Sequence, residues 1–214
     1  MASLLKSILA LALVAMVTAC TGAPTLQEEP ASEFAAQGLH PVRSSGFAQA
    51  YARPGANLPA YRTVNIVDLE LDNIELSNTA VAGTLRRDWQ MTPERKTALR
   101  TTWAASMNRV FSGYTLSASG DKVLRISAEL TRVAPGRPTA TTIGGALQPA
   151  GSSQDVVEIW GEFRLYDQLS GDLLAVIRDN RTMTSVAMSR TGGASIQALF
   201  NSWAALLHTR VSGK

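Results

Sequence analysis

The sequence contains one cysteine, two histidines and no cationic run in its 214 residues. With a single cysteine, Cys20, the chain has no intramolecular disulfide to form and no paired cysteines for a metal site. Lys and Arg number 20 against 17 Asp and Glu, and these charges are scattered along the chain. The basic patch typical of nucleic-acid-binding proteins is therefore missing, and we expect no nucleic-acid partner.

Short motifs that signal common catalytic sites are also missing. The sequence has no nucleophile elbow, phosphate-binding loop, HExxH helix or cysteine pair. Gly144-Gly145 lacks the spacing and the lysine of a phosphate loop. His40 has no second ligand near it, and capping of a helix end explains His208. We therefore expect neither an enzyme nor a protein with a metal or another cofactor.

The first twenty residues have the organisation of a bacterial export signal. Lys6 precedes an apolar run from Ile8 to Val17, which is too short to cross a bilayer as a stable helix. Val17-Thr18-Ala19-Cys20 then resembles the lipobox of bacterial lipoprotein signals. The resemblance implies that residues 1–19 are removed, that the Cys20 thiol is diacylated and that Cys20 becomes the new N-terminus. An ordinary cleavage site with an incidental thiol is the alternative.

Lipidation at Cys20 predicts where the protein resides. Each buried methylene contributes about 0.8 kcal/mol, so two or three acyl chains anchor a protein stably without a transmembrane helix. Thr21 occupies the position where bacterial sorting commonly reads Asp as an inner-membrane signal. We therefore expect the periplasmic side of the outer membrane rather than the inner membrane. Residues 20–45 are rich in small and polar residues and predict a flexible lipidated tether.

Residues 46–214 predict one domain that begins with a strand. Tyr61 to Leu71 is enriched in residues that fit a strand, and Asp68, Glu70 and Asp72 share one of its faces. A calcium site is one interpretation of these three carboxylates. We favour a solvated strand face, because the turn glycine and closing glutamate of a calcium loop are missing.

Two amphipathic helices are predicted in this domain. The first starts at Thr92-Pro93-Glu94, which supplies a hydroxyl cap, a first-turn proline and an acid at the positive end of the helix dipole. The second starts at or near Ser195. Apolar residues recur at helical spacing in both, and they are Leu99, Trp103, Met107, Val110 and Phe111 in the first and Ile196, Leu199, Phe200, Trp203, Leu206 and Leu207 in the second. These stripes predict that both helices pack against a sheet.

Three longer strands are predicted between and beside the helices. Val123–Thr131 alternates strictly between apolar and polar residues. Residues 155–166 and 173–184 form two further strands, joined by a turn with Gly171 where a positive φ is needed. Residues 134–154 are rich in proline, glycine and small hydroxyl residues and predict an irregular insertion.

Parts of the domain resemble the bacterial lipoprotein family known as domain-of-unknown-function 3313. The resemblance rests on Ser45-Gly46-Phe47, on the stretch from Pro54 to Val64 and on the hairpin of residues 155–184, and it spans most of residues 45–210. It implies a secreted lipoprotein. It implies no activity, because the function of that family is unassigned.

These elements predict an α+β fold with a mixed, mainly antiparallel sheet of four to five strands and both helices packed on one face. The other face then has no helix to cover it. On the strand at 155–166 that face carries Glu158, Trp160, Glu162, Arg164 and Tyr166. This aromatic and charged mixture is typical of protein interfaces and predicts a partner surface. Coverage of Trp160 by the insertion at 134–154 is the alternative.

Two functional classes fit these observations. The first is a cell-envelope lipoprotein that acts as a lipid-anchored interaction or accessory module and binds an envelope partner. The alternative is a carrier of a small or lipidic ligand, which requires a large apolar cavity between the sheet and the helices. The sequence leaves the oligomeric state open.

Overall fold

A large mixed sheet and two α-helices dominate the computed structural model, which describes residues 23–77, 90–135, 142–143, 146–147, 156–184 and 194–214. The strands are β1 (Thr25–Leu26), β2 (His40–Arg43), β3 (Gln49–Ala52), β4 (Thr63–Ile66), β5 (Glu75–Leu76), β6 (Thr115–Leu116), β7 (Val123–Pro135), β8 (Thr142–Ile143), β9 (Ala146–Leu147), β10 (Val156–Asp167) and β11 (Leu173–Thr184). The helices are α1 (Pro93–Val110), α2 (Ala194–Ser212) and two 3₁₀ helices at Ser32–Gln37 and Leu58–Ala60.

Nine of these strands form one sheet in the order β1-β2-β3-β11-β10-β7-β4-β6, with β5 also paired to β7. The pairs that involve β4 and β5 are parallel and the others are antiparallel. The mixed, mainly antiparallel character is confirmed, but the predicted four to five strands are too few. Three of the missed strands, β1, β5 and β6, have two residues each. An alternating pattern of apolar and polar residues is not visible over so short a length.

The centre of the sheet is the antiparallel trio β7, β10 and β11. The β10–β11 hairpin confirms the predicted strand pair, and its turn contains Gly171 at φ 74°. The predicted first strand, Tyr61 to Leu71, is shorter than expected, because β4 covers only Thr63–Ile66. A single parallel bridge from Glu70 to Glu129 follows β4 on the edge of β7.

Both α-helices pack on one face of this sheet, as predicted. Helix α1 starts at Pro93, and Oγ1 of Thr92 accepts a hydrogen bond from the N–H of Arg95 at 3.3 Å. Rings from both helices meet Phe163 of β10, since Trp103 stacks on it at 5.6 Å and Trp203 meets it edge-on at 5.3 Å between ring centroids. We call this the inner face of the sheet and the opposite one the outer face.

The main core lies between the inner face and the two helices. Alternate residues of β7 and β10 are buried there, as their spacing predicts, and these are Leu124, Ile126, Ala128, Leu130, Val157, Ile159, Phe163 and Leu165. Gly161 shares this face, and a Cβ at its position would lie 3.2 Å from the Trp203 ring. The glycine therefore permits the close approach of α2 to β10.

The N-terminal segment differs from the flexible tether predicted for residues 20–45. Residues 25–43 contain β1, β2 and the first 3₁₀ helix, and β2 pairs with β3 at the edge of the sheet. Phe34 and Leu39 of this segment pack on Val176 in a second, smaller core on the outer face. Two buried apolar side chains thus attach this segment to the sheet, although its average composition is that of a flexible tether.

The insertion predicted at residues 134–154 lies largely outside the described residues. Strand β7 continues through Ala134 to Pro135, and β8 pairs with β9 as a separate two-stranded sheet. The alternative that this insertion covers Trp160 involves residues outside the described part of the chain.

Candidate functional site

The five residues predicted to bind a partner lie together on the outer face of β10. Glu158, Trp160 and Tyr166 are half-buried, Arg164 is exposed, and Glu162 retains 8% exposure. Strand alternation alone places them on one face, opposite Phe163 and its neighbours. Their grouping is thus as predicted, and their role in binding remains a hypothesis.

Each aromatic side chain of this group stacks with an arginine from the neighbouring strand. The guanidinium of Arg132 lies 5.1 Å from the ring centroid of Trp160, and that of Arg125 lies 4.3 Å from the ring centroid of Tyr166. Both pairs are directly opposite each other in the β7–β10 register. The cations hold the rings against the sheet and leave a surface of alternating flat aromatic and cationic groups.

Glu162 lies between two arginines at the centre of the outer face. Its carboxylate accepts from Nε of Arg164 at 2.5 Å and from Nε of Arg178 at 2.7 Å. Burial lowers the pKa of both arginines, but their hydrogen bonds and charge interactions with Glu162 and other neighbouring groups together outweigh burial and raise each pKa above its ordinary value. The two arginines thereby compensate the charge of a nearly buried carboxylate.

The first 3₁₀ helix covers one end of the outer face. Nη1 of Arg178 donates to Glu33 at 2.7 Å, and the Arg178 guanidinium lies 5.2 Å from the ring of Phe34. The hydrogen bond from Arg178, followed by one from Tyr51, lowers the pKa of Glu33. We predicted that no element covers this face. Residues 32–39 do cover its β3–β11 end, where Phe34 and Leu39 pack on Val176.

A groove between the inner face and the C-terminal end of α2 was missed by the sequence analysis. Its volume is about 1000 Å³, it is partly open to solvent, and Leu58 of the second 3₁₀ helix forms part of its wall. The residues that line it are Ala23, Pro24, Val42, Ser44, Ser45, Gly46, Phe47, Ala50, Tyr51, Ala52, Leu58, Ala175, Ile177, Thr209, Arg210, Gly213 and Lys214. Most of these side chains are apolar.

Small side chains explain why the groove exists. Ala50 and Ala52 of β3 pair with Ile177 and Ala175 of β11, so three alanines face the end of α2. Elsewhere on the inner face, Phe163 and larger aliphatic residues fill the corresponding space. The sequence contains a trace of this feature, because Ala48, Ala50 and Ala52 recur at the period of a strand.

The charged residues of the groove are cationic. Nε of Arg210 donates to the carbonyl oxygen of Ser45 at 2.7 Å, which holds the guanidinium at the rim. Lys214 lies at the same rim, and no Asp or Glu is among the described residues that line the groove. The groove thus combines an apolar floor with a cationic edge.

Two of the three acidic residues that suggested a calcium site, Glu70 and Asp72, have other contacts. Oε1 of Glu70 accepts from the backbone N–H groups of Leu71 and Asp72 at 2.8 and 2.7 Å. Asp72 accepts from Lys96 at 2.6 Å, and this hydrogen bond lowers the pKa of Asp72. Within the described ranges, no cluster of three or more His, Cys, Asp or Glu side chains is arranged to hold a metal ion.

The two histidines also have local contacts. Nδ1 of His40, in β2, donates to the carbonyl oxygen of Gln27 at 2.9 Å, so it joins the N-terminal strands rather than lying in a solvated tether. His208 of α2 packs edge-on against Phe111 and Tyr114. These contacts give His40 and His208 structural explanations.

Cys20 lies outside the described residues, which begin at Ala23. Ala23 and Pro24 line the groove, so the chain leaves the described structure at that site. In the described part of the chain, neither helix is long and apolar enough to cross a bilayer.

No family model and no curated protein match the chain. The resemblance to domain-of-unknown-function 3313 is therefore not confirmed at the level of that specific family.

Solved bacterial proteins have a similar arrangement of elements. The PelC dodecamer from Paraburkholderia phytofirmans is 14% identical, with 74% of this chain and 95% of that chain covered and a TM-score of 0.39. A minor lipoprotein from Acinetobacter baumannii is 13% identical over 72% and 94% of the two chains, with a TM-score of 0.34. Lipoprotein GNA1162 from Neisseria meningitidis is 11% identical over 71% and 99%, with a TM-score of 0.33. Bacterial lipoproteins are thus among the similar structures, and at these TM-scores the likeness carries no argument about function.

Proposed function

We propose that this chain is a cell-envelope lipoprotein that is anchored through Cys20 and binds an envelope protein with the outer face of its sheet. The observation that supports this most is the pair of stacks on β7 and β10, Trp160 with Arg132 and Tyr166 with Arg125. Trp, Tyr and Arg dominate the energetics of protein interfaces. Half-buried rings held by neighbouring arginines also lose little conformational freedom when a partner binds.

This role is binding rather than catalysis. The face presents the guanidinium of Arg125 beside two ion pairs, Arg132 with Glu75 and Arg164 with Glu162, so a partner with an exposed carboxylate near apolar side chains complements it. Lipidation would keep the chain at the periplasmic side of a membrane, and Thr21 favours the outer one.

Metabolic labelling tests the anchor. Cells fed labelled palmitate should label the wild-type protein, whereas Cys20→Ala should be unlabelled and leave the membrane fraction. Density-gradient separation of the two membranes then reports which one holds the wild-type chain. A Cys20→Ala protein that remains both labelled and membrane-bound contradicts lipidation at this residue.

Cross-linking in intact cells tests the outer face. Trp160→Ala should abolish the cross-linked complexes and leave the thermal midpoint of the purified protein nearly unchanged. Leu169→Ala, which removes a side chain that is 76% exposed at the tip of the β10–β11 hairpin, is the matched control and should keep the complexes. If Trp160→Ala lowers the midpoint and keeps the complexes, Trp160 has a structural role and the interface proposal fails.

The groove favours a second candidate function, the binding of an apolar ligand. A cavity of about 1000 Å³ with an apolar floor lies at the upper end of the size range of ligand pockets, roughly 300–1000 Å³. This is the feature that a carrier of a lipidic ligand requires between its sheet and helices. Interaction and ligand binding use different surfaces of the domain and are compatible.

A further inference from the structure

The groove lies close to the site at which the chain is proposed to be lipidated. Ala23 and Pro24 form part of its wall, and Cys20 precedes Ala23 by three residues. Three residues span at most about 11 Å even when fully extended. Residues 25–43 are built into the sheet, so they supply no spacer between the anchor and the domain. If Cys20 is lipidated as proposed, the groove therefore lies at the surface of the membrane.

The shape and lining of the groove suit an acyl chain. Its floor is formed by the small or apolar residues Ala50, Ala52, Ala175 and Ile177, and Phe47 lies along its side. A floor of this kind has few polar groups that specify a ligand, and a flexible hydrocarbon chain can follow it. The opening to solvent allows the polar end of an amphipathic lipid to stay outside.

The rim of the groove suits an anionic group. Arg210 is held by the carbonyl oxygen of Ser45 through Nε, so its terminal nitrogens remain available, and among the described residues they have no hydrogen-bond partner. Lys214 adds a second cation at the same edge. Guanidinium and ammonium groups bind phosphate oxygens through charge-assisted hydrogen bonds.

We propose that the groove binds one acyl chain of an anionic phospholipid from the membrane that anchors the protein, with the lipid phosphate at Arg210 and Lys214. The apolar floor takes the hydrocarbon, the cationic rim takes the phosphate, and the short connection to Cys20 places both at the bilayer surface. This inference rests on the proposed lipid anchor and specifies the ligand of the second candidate function.

Photo-cross-linking in vesicles tests the inference. The mature lipidated protein, which starts at Cys20, is reconstituted in phosphatidylcholine vesicles with added phosphatidylglycerol that carries a diazirine at the end of one acyl chain. Peptides from β3 and β11 should be labelled. Ala52→Trp, which fills the groove, should lose this labelling. Ala105→Trp, which adds the same ring at an exposed position of α1, should retain it.

Charge variants test the rim. Arg210→Gln and Lys214→Gln should each lower the labelling by phosphatidylglycerol about fivefold, the effect of one cation near an anionic lipid. Lys122→Gln, which removes an exposed cation away from the groove, should have no effect. Lys214→Gln removes no side-chain hydrogen bond or ion pair within the described residues, so its result stands even if Arg210→Gln loosens the β2–β3 turn. Equal labelling by diazirine phosphatidylcholine, whose phosphate is balanced by a choline cation, would overturn the proposed preference for an anionic phospholipid.

A second labelling arm identifies the source of the acyl chain. Cells are grown on a diazirine fatty acid so that the acyl chains on Cys20 carry the probe, and the purified protein is placed in unlabelled vesicles. If the acyl chains on Cys20 label the groove and the vesicle lipid does not, the groove binds the protein's own anchor and the inference is overturned. Labelling in neither arm overturns groove binding altogether. Palmitate labelling and the Cys20→Ala control report the anchor separately, so the two proposals can fail independently.

Discussion

Tyr61 makes a long-range hydrogen bond that connects the start of β4 to the end of β10. Its hydroxyl donates to Oδ2 of Asp167 at 2.7 Å, and the ring is buried. Burial, followed by the hydrogen bond to Asp167, raises the pKa of Tyr61 to about 12. The folded state therefore holds the phenolic proton more tightly than the unfolded chain, in which the pKa is about 10.

This shift predicts a pH-dependent stability at the alkaline side. The contribution of Tyr61 is fully present below about pH 10 and is lost as the pH rises towards about 12. Tyr61→Phe should lower the free energy of unfolding at neutral pH. It should also make that free energy fall less steeply between about pH 10 and about pH 12. Urea denaturation at several pH values measures both effects. Tyr114→Phe is the control, and an unchanged alkaline slope in Tyr61→Phe would contradict the assignment.

Gly161 permits a close approach of α2 to the sheet. The position of a Cβ on it lies 3.2 Å from both the Phe163 and the Trp203 rings, so Gly161→Val should overpack the core. We expect a loss of about 1–3 kcal/mol in the free energy of unfolding. Gly113→Val is the control, because a Cβ there meets no atom within 4 Å. Equal midpoints of chemical denaturation for the two variants would show that Trp203 can move aside.

At the scale of elements, the start of α1 depends on one side chain. Thr92 Oγ1 accepts from the backbone N–H of Arg95 and satisfies one of the donors that a helix leaves unpaired at its first turn. Thr92→Ala should reduce stability by about 1 kcal/mol, and Thr92→Ser should restore most of it. Denaturation followed by circular dichroism measures the difference. Equal stability of the alanine and serine variants would mean that the cap contributes nothing.

The two tryptophans on the helices are expected to have different roles. Either Trp103→Ala or Trp203→Ala should cost about 3–5 kcal/mol, because both side chains are fully buried. Substitution by Phe separates them. Nε1 of Trp203 donates to the buried Asp179 at 2.8 Å, whereas Nε1 of Trp103 has no partner among the described residues.

Trp203→Phe should consequently be the more costly of the two Phe variants, because it leaves the Asp179 carboxylate with one donor fewer. Chemical denaturation of the two variants side by side gives the comparison. A larger loss for Trp103→Phe would mean that ring size, and not the hydrogen bond, decides the stability at both positions.

The elements that could be predicted from the sequence are those long enough to repeat their apolar pattern several times. Helices α1 and α2 and strands β7, β10 and β11 each repeat their apolar residues several times, so a few exceptions do not hide the pattern. Strands β1 to β3 could not be predicted in this way. Their segment has few apolar residues, and Phe34 and Leu39 are buried only because Val176 reaches them from the other end of the chain.

The same distinction applies to the candidate sites. Alternation along β10 was sufficient to group Trp160, Glu162 and Tyr166 on one face. The arginines that hold them come from β7 and β11, and only the register of the sheet brings them together. The groove joins Ala50 to Arg210 across most of the chain, and no local pattern contains both.

At the scale of the whole molecule, the N-terminal segment is expected to contribute to the stability of the domain. Leu39 is fully buried in the small core with Phe34 and Val176. Leu39→Ala should reduce the free energy of unfolding by about 2–5 kcal/mol, as in other buried cores. Leu26→Ala is the control, since that side chain is 42% exposed in β1. Equal denaturation midpoints for Leu39→Ala and the wild type would instead support the flexible tether predicted for residues 20–45.

The short strands at both ends of the sheet affect how the protein behaves when many copies crowd on a surface. Strands β1 and β6 terminate the strand order, and each has two residues. An unpaired strand edge is a template for the addition of another chain, and the strength of that template grows with the length of the edge. Two-residue edges offer very few free backbone groups, whereas β3 pairs with β11 only at residues 175–178 and leaves residues 179–184 of β11 beyond its end. The two end strands therefore provide little template for edge-to-edge polymerisation in the two-dimensional crowding that the proposed lipid anchor would impose.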